Sequence, residues 1–273
     1  MYGAVYGDII GSWYEWHNVK REDFELFPKE ARFTDDTVLT VAVAESILNM
    51  DSGAPRKCYA QHIKAYYRRY PHAGFGHMFI NWAESDSLSV QKSYGNGASM
   101  RVSAIGWAFD DEDTIKKQVS ESCYYTHHNK EAIRCAQAVA LAVFYARKGM
   151  EKKEIRKRLE EVFKLEFLPL DDIREGYKFD SRSLYSVPPA IEAFFESEDY
   201  ESCIRKAISI GGDSDTIAAI AGGIAEAYYK EIPNSMAKYV VLPFPRLFNQ
   251  ILEAVRKETV YGKTCRVVDT IVK

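Results

Sequence analysis

Two short segments of this 273-residue chain set carboxylates and hydroxyls where an apolar helix should begin. In FTDDTVLT, residues 33–40, they are Thr34, Asp35 and Asp36. In GGDSDTIAAIAGG, residues 211–223, they are Asp213, Asp215 and Thr216. A single Asp or Thr there is an ordinary N-cap, and an anion suits the positive end of the helix dipole. Capping needs one such residue, however, and each segment supplies three. Two like charges ~4 Å apart repel by roughly 4 kcal/mol at an effective dielectric near 20. If the two helix starts face each other, four carboxylates share one small volume. Either arginines such as Arg32 and Arg101 fold over them, or hard divalent cations bind there. An oxygen-only donor set suits Mg²⁺, Mn²⁺ or Ca²⁺. The absence of Cys and His from both segments argues against zinc.

Three further segments carry chemistry-bearing residues. GAVYGDIIGSWYEWHN, residues 3–18, repeats glycine every four residues, so that a helix there would offer one bare face to another backbone. Glu15 follows it, and the plain alternative is an exposed glutamate at a helix end. SYGNGASMR, residues 93–101, reads as a Gly-Asn-Gly loop opening a helix. Its backbone N–H groups would suit a phosphate or pyrophosphate, although a plain turn has the same composition. YTHHNKEA, residues 125–132, sets His127 and His128 where a helix begins, a position a histidine also takes as a cap.

Helices must position these residues. Apolar spacing of three and four predicts helices over 131–147 and from Ile217 to Tyr228, and Thr37 to Leu48 is apolar almost all round. Weaker amphipathic stretches lie near 57–69, 113–123, 151–164, 200–209 and 245–257. Pro188–Pro189 is expected to open a helix at 189–196, and Gly149 to end the 131–147 helix. Pro71 and Gly74–Phe75–Gly76 break the chain after residue 69. The charge run EKKEIRKRLEE from Glu151 reads as a solvated helix face. A partial strand-like alternation is confined to residues 259–273. Without a linker or an internal repeat, the pattern predicts an all-α, single-domain bundle of ten or more helices spanning 1–273.

Composition narrows the class. Thirty-six Lys and Arg against 39 Asp and Glu leave a net charge of −3, which gives no basic field for nucleic acid or anionic membrane. No apolar run is long enough to span a membrane. Asp8 interrupts the N-terminal apolar stretch, and no basic region precedes it, so no signal peptide is expected. Five cysteines without a CxxC pair fit reduced, buried thiols in a cytoplasmic protein.

Taken together, GAVYGDIIGSWYEW, FTDDTVLT, SYGNGASMR, THHNKEAIRCAQAVA, SVPPAIEAFFES and GGDSDTIAAIAGGIAEAYY resemble the ADP-ribosylglycohydrolases, in that family's order, from residue 3 to about 229. The resemblance implies an orthogonal all-α bundle around a central cleft with a binuclear magnesium (or manganese) site. It implies hydrolysis of the glycosidic bond at ribose C1″ of an ADP-ribosylated protein or small molecule, by a monomer. Thr34, Asp35, Asp36, Asp213, Asp215 and Thr216 match the family's metal motifs. Glu15 matches a glutamate proposed to activate water. Asn96, Gly97, Ser99 and Met100 match a loop contacting ADP-ribose, His127 a ligand-side histidine, and Tyr185 a tyrosine before the VP-x-A helix. Asn129 and Lys130 depart from the usual THxHP, and 178–185 lacks the usual Cys-Gln-Gly, which bears on substrate choice.

The reaction so implied passes through oxocarbenium character, with an Asp or Glu beside the metals as general base. Asp36, Asp35 and Glu15 are the candidates: Asp36 for an N-glycosidic arginine substrate, Glu15 for an O-glycosidic serine substrate. A haloacid-dehalogenase reading of DSDT fails on spacing, because Thr216 directly follows Asp215 and a helix precedes the motif. An HD-type phosphohydrolase needs an adjacent His-Asp pair, and the chain has none. The alternative from another class is a non-catalytic ADP-ribose-binding or structural member of the same fold.

Overall fold

The computed structural model describes residues 1–50 and 53–233, with Met236, Gln250, Ile251, Glu253 and Ala254 beyond them. Twelve α-helices form among the described residues, and pairing between extended segments is limited to two isolated bridges. The all-α expectation holds. The helix expected at 245–257 lies largely, and the strand-like stretch at 259–273 wholly, outside the described residues.

Two helices make the centre. α7 (Lys130–Arg147) buries twelve of its residues. α12 (Ser214–Tyr229) is buried without interruption from Ser214 to Ala227, since its small and β-branched apolar residues surround it completely. α12 packs against α7, against α1 (Tyr2–Tyr14), and against α10 (Ser183–Glu196) and α11 (Tyr200–Ser209). α2 (Asp35–Leu48) lies on α3 (Pro55–Arg69) and α5 (Ser103–Ala108). α6 (Glu112–Cys123) and α8 (Lys152–Phe163) flank α7, while α4 (His77–Glu84) and α9 (Leu170–Arg174) are short. α4, α5 and α9 carry too few turns to produce a readable period.

The α1–α12 contact explains the glycine repeat. A Cβ on Gly7 would fall inside the Ala218 carbonyl, and one on Gly3 inside the Gly222 carbonyl. The two backbones therefore touch, which brings the C-terminal end of α1 beside the N-terminal end of α12. Gly7→Val should cost at least about 1–3 kcal/mol through overpacking, and melting should fall by several degrees. An unchanged melting temperature would contradict the contact.

Two local expectations need correction. Pro188 and Pro189 lie inside α10, which begins at Ser183. The amide missing at Pro189 would have bonded the Tyr185 carbonyl, and that carbonyl instead accepts the Tyr177 hydroxyl at 2.8 Å. The charge run is also only partly a solvated face. Lys152 turns inward and donates to the carbonyls of Phe194 (2.7 Å) and Ser197 (2.5 Å), tying off the end of α10. Arg156 pairs with buried Glu192 at 2.7 Å. Gly149 does end α7, at φ +80°. The four described cysteines are buried, and none is in a disulfide. No helix of the described residues is long and apolar enough to cross a membrane.

Candidate metal centre

The two acidic segments meet. Both helices start earlier than the apolar pattern suggests, so the carboxylates sit at and within the first turns of α2 and α12. Carboxylate oxygens of Asp8, Asp36 and Asp215 lie within 4.8 Å of one another, and so do those of Glu15, Asp213 and Asp215. The two triplets share Asp215. Capping does not account for them: at α2 the Thr34 hydroxyl takes the cap bond, accepting from Asp36 N–H at 3.3 Å, and Asp213 makes no side-chain cap.

Each carboxylate is held by its neighbours. Asp8, wholly buried in α1, accepts Thr34 N–H (2.9 Å), Thr34 Oγ1–H (2.6 Å), Thr37 N–H (3.0 Å) and Thr37 Oγ1–H (2.5 Å). It fixes the first turn of α2 against α1. Asn96 donates from Nδ2 to Asp213 Oδ2 at 2.7 Å and to Ser186 Oγ at 2.8 Å. Thr216 donates from Oγ1 to Asp36 Oδ2 at 3.2 Å. Asn18 clamps the end of α1 to the glycine pair before α12. Its Nδ2 donates to the Tyr14 and Glu15 carbonyls at 2.7 and 2.9 Å, and its Oδ1 accepts Gly212 N–H at 2.5 Å. That glycine pair has φ near +75°, which L side chains rarely adopt, so the clamp and the turn are specified together.

The cluster is short of positive charge. Arg101 does not fold over it: it is fully buried elsewhere and donates to the Ser122 carbonyl and Thr126 Oγ1. Arg32 lines the cleft, where its charge only tempers Glu15. Among the described residues, no ion pair forms on Asp8, Glu15, Asp35, Asp36, Asp213 or Asp215. Burial, then the charge of Asp215, push Asp8 and Glu15 up to about 7. The same causes hold Asp35, Asp36 and Asp213 well above the ordinary carboxylate range. Asp36 is 2% exposed, and its Oδ1 is buried with no hydrogen-bond donor. A buried carboxylate oxygen without a partner is costly. An oxygen-rich, uncompensated set with one such atom fits a hard divalent cation.

The sign of the resulting pH dependence follows. Between the ordinary carboxylate range and about pH 7, the folded cation-free protein keeps protons that the unfolded chain has lost. The contribution of Asp8 and Glu15 to stability is therefore full below the ordinary carboxylate range and is lost as pH rises through about 7. In EDTA, the melting temperature should fall between about pH 5 and about pH 7.5. Mg²⁺ or Mn²⁺ should restore several degrees at the upper end. A flat profile in EDTA would show that these groups are not crowded.

A cleft of about 520 Å³ opens over the cluster. Glu15, Thr34, Asp35, Asp36, Asp213, Asp215 and Thr216 line it, together with Asn96, Gly97, Met100 and His127. Two bridges, Lys92 with His127 and Gly95 with Arg182, hold residues 91–96 between neighbouring segments to form one wall. Trp16, 77% exposed, and Phe179 stand on the lining as bare aromatic surface.

Some expected residues fall elsewhere. The Gly-Asn-Gly segment is a 3₁₀ turn over Asn96–Ala98, and the N–H groups of Gly95, Asn96, Ser99 and Met100 are engaged within the fold. The Asn96 side chain is likewise spent on Asp213 and Ser186. Ser99 is fully buried and off the cleft lining. Tyr185 is half exposed, also off the lining, with its ring against Arg182 at 4.0 Å. Asp8 and Asn18 were not anticipated. A lone carboxylate in an otherwise buried apolar helix is the signal that marks Asp8, because burial demands donors for it.

The family model described as ADP-ribosylglycohydrolase matches residues 1–260. Among curated proteins, the ADP-ribosylhydrolase ARH3 of Gallus gallus is 27% identical, covering 84% of each chain. That of Homo sapiens is 25% identical, covering 85% of each. The ADP-ribosylarginine hydrolase Tri1 of Pseudomonas putida is 25% identical, over 84% of this chain and 69% of its own. A solved ADP-ribosylglycohydrolase-related protein complex shares the fold at a TM-score of 0.73 and 22% identity, covering 94% of this chain and 95% of its own.

Proposed function

The chain belongs to the ADP-ribosylglycohydrolase family, and from that premise we propose that it cleaves the glycosidic bond at ribose C1″ of an ADP-ribosylated substrate, releasing ADP-ribose. The observation that carries this reading is the convergence of six carboxylates without a paired cation, five of them on the lining of one cleft.

In this reading Thr34, Asp35, Asp36, Asp213, Asp215 and Thr216 hold two Mg²⁺ (or Mn²⁺) ions. Such ions, when bound, neutralise the carboxylates, fix vicinal ribose hydroxyls and acidify water. The remaining work falls to the chain. Asp8 holds its neighbours in register without facing substrate, and Asn96 does so from the cleft lining through its bonds to Asp213 and Ser186. Asp36 accepts the proton of the attacking water for an N-glycosidic arginine linkage, and Glu15 does so for an O-glycosidic serine linkage. His127 and the Gly95–Gly97 wall orient the ligand. Trp16 and Phe179 offer apolar cover beside the reacting end, which lowers the local dielectric around the developing charge. We take residues 1–273 as one catalytic unit, acting as a monomer in the cytoplasm, where the buried cysteines would stay reduced.

The test is release of free ADP-ribose from ADP-ribosylated arginine, serine and nucleotide substrates, with Mg²⁺ or Mn²⁺ and with EDTA. Release from at least one of them, abolished by EDTA, is expected. If ADP-ribose binds tightly but no substrate is cleaved, the chain is a binding module.

A further inference from the structure

The buried cation at Arg101 lies outside the chemistry described so far. Its side chain is 0% exposed, and no carboxylate pairs with it. Its Nη2 donates to the Ser122 carbonyl at 3.1 Å and to Thr126 Oγ1 at 2.8 Å, while Nε and Nη1 are buried without an oxygen or nitrogen acceptor, beside the Cys123 thiol. A buried guanidinium kept without a counter-charge is expensive, and a well-packed apolar residue would cost less.

What it reaches gives it a use. Thr126 Oγ1 accepts from the guanidinium, so its own proton must go elsewhere. His127 Nδ1, at 2.9 Å, is the acceptor in reach among the described residues. A ring protonated on Nδ1 would leave the buried hydroxyl hydrogen without an acceptor among the described residues, which favours donation from Thr126 to His127. With Nδ1 accepting, a neutral imidazole carries its hydrogen on Nε2. That nitrogen lies 3.3 Å from where a Cβ on Gly97 would sit and 3.8 Å from one on Gly95, so it faces the turn in the cleft wall. His127 itself lines the cleft. Burial, and next the Arg101 charge, hold the ring well below the ordinary histidine range, so protonation does not blur the arrangement.

We propose that Arg101 and Thr126 are positioning residues that fix the His127 imidazole with its proton on Nε2, presenting one constant hydrogen-bond donor to an oxygen of the ligand in the cleft. The ligand part rests on the reading of the cleft as an ADP-ribose site, whereas the tautomer does not. The buried guanidinium holds the hydroxyl oxygen through one of its two lone pairs, and among the described residues it leaves the hydroxyl hydrogen Nδ1 as its acceptor. The acceptor needs no formal charge, so a sugar hydroxyl or a phosphate oxygen serves equally.

Arg101 variants risk misfolding, so Thr126 carries the test. Thr126→Val removes both bonds at nearly constant shape, and Thr126→Ser restores them. Imidazole ¹⁵N chemical shifts of the full chain report the tautomer directly, and calorimetric titration with free ADP-ribose reports its consequence. The expected result is an Nε2–H ring in the parent and in Thr126→Ser. In Thr126→Val the tautomers should mix and ADP-ribose affinity should drop about tenfold. A parent ring protonated on Nδ1, or a Thr126→Val ring identical to the parent, would overturn the proposal. If the parent fails to bind ADP-ribose, the functional reading fails, and the ¹⁵N shifts still decide the relay.

Discussion

Asp36→Asn is expected to lose ADP-ribose release by at least about 10³-fold while making the cation-free protein more stable, not less. The two effects have one cause. Asp36 is buried among Asp8, Asp35, Asp213 and Asp215, whose charges all push its carboxyl upward. Its Oδ1 has no donor, so the folded protein gains nothing from the charge unless a cation arrives. Asparagine keeps the shape, removes one repelling charge, and still offers an oxygen to Thr216 Oγ1–H. Melting in EDTA near pH 7.5 should rise, and the stabilisation on adding Mg²⁺ or Mn²⁺ should shrink. A simple packing role for Asp36 predicts lower stability and unchanged cation dependence. Activity within about tenfold of the parent would remove Asp36 from the chemistry.

Asp8→Asn should be nearly as damaging by another route. Asp8 accepts from two N–H and two O–H groups at the start of α2. An amide presents one acceptor oxygen and turns an NH₂ toward donors, so at least one buried donor loses its partner. Each such loss costs about 1–3 kcal/mol. The first turn of α2 carries Thr34, Asp35 and Asp36 and would no longer be tied to α1. Apparent cation affinity should fall about 10–100-fold, and melting should drop in EDTA as well, the opposite sign from Asp36→Asn. Equal behaviour of the two variants would show that Asp8 is one more ligand and not the anchor of α2.

This contrast also marks where the sequence was readable. Six carboxylate and hydroxyl positions were legible because they came in excess at two helix starts, beyond what capping uses. Asp8 was not, because one carboxylate inside GDIIG reads as a break in an apolar run until the fold reveals four donors around it. Asn18 was opaque for a different reason: its partner Gly212 is 194 residues away, and no local pattern encodes such a bond. Long helices such as α7 and α12 were legible through period. The start of α10 was not, since Pro188 suggested a beginning, and the hydroxyl that makes a mid-helix proline tolerable lies on Tyr177. Ser99 and Tyr185 entered through resemblance alone, and neither reaches the cleft lining.

The backbone contact between α1 and α12 has a kinetic side. Four of the six carboxylates lie before residue 37 and two after residue 212, so the crowd assembles only when the two distant segments close. Loop closure over that distance is slow, and the repulsion is felt at its last stage. A divalent cation therefore has nothing complete to grip in a half-folded chain. It should leave the refolding rate almost unchanged and slow unfolding instead, acting as a latch on the finished molecule.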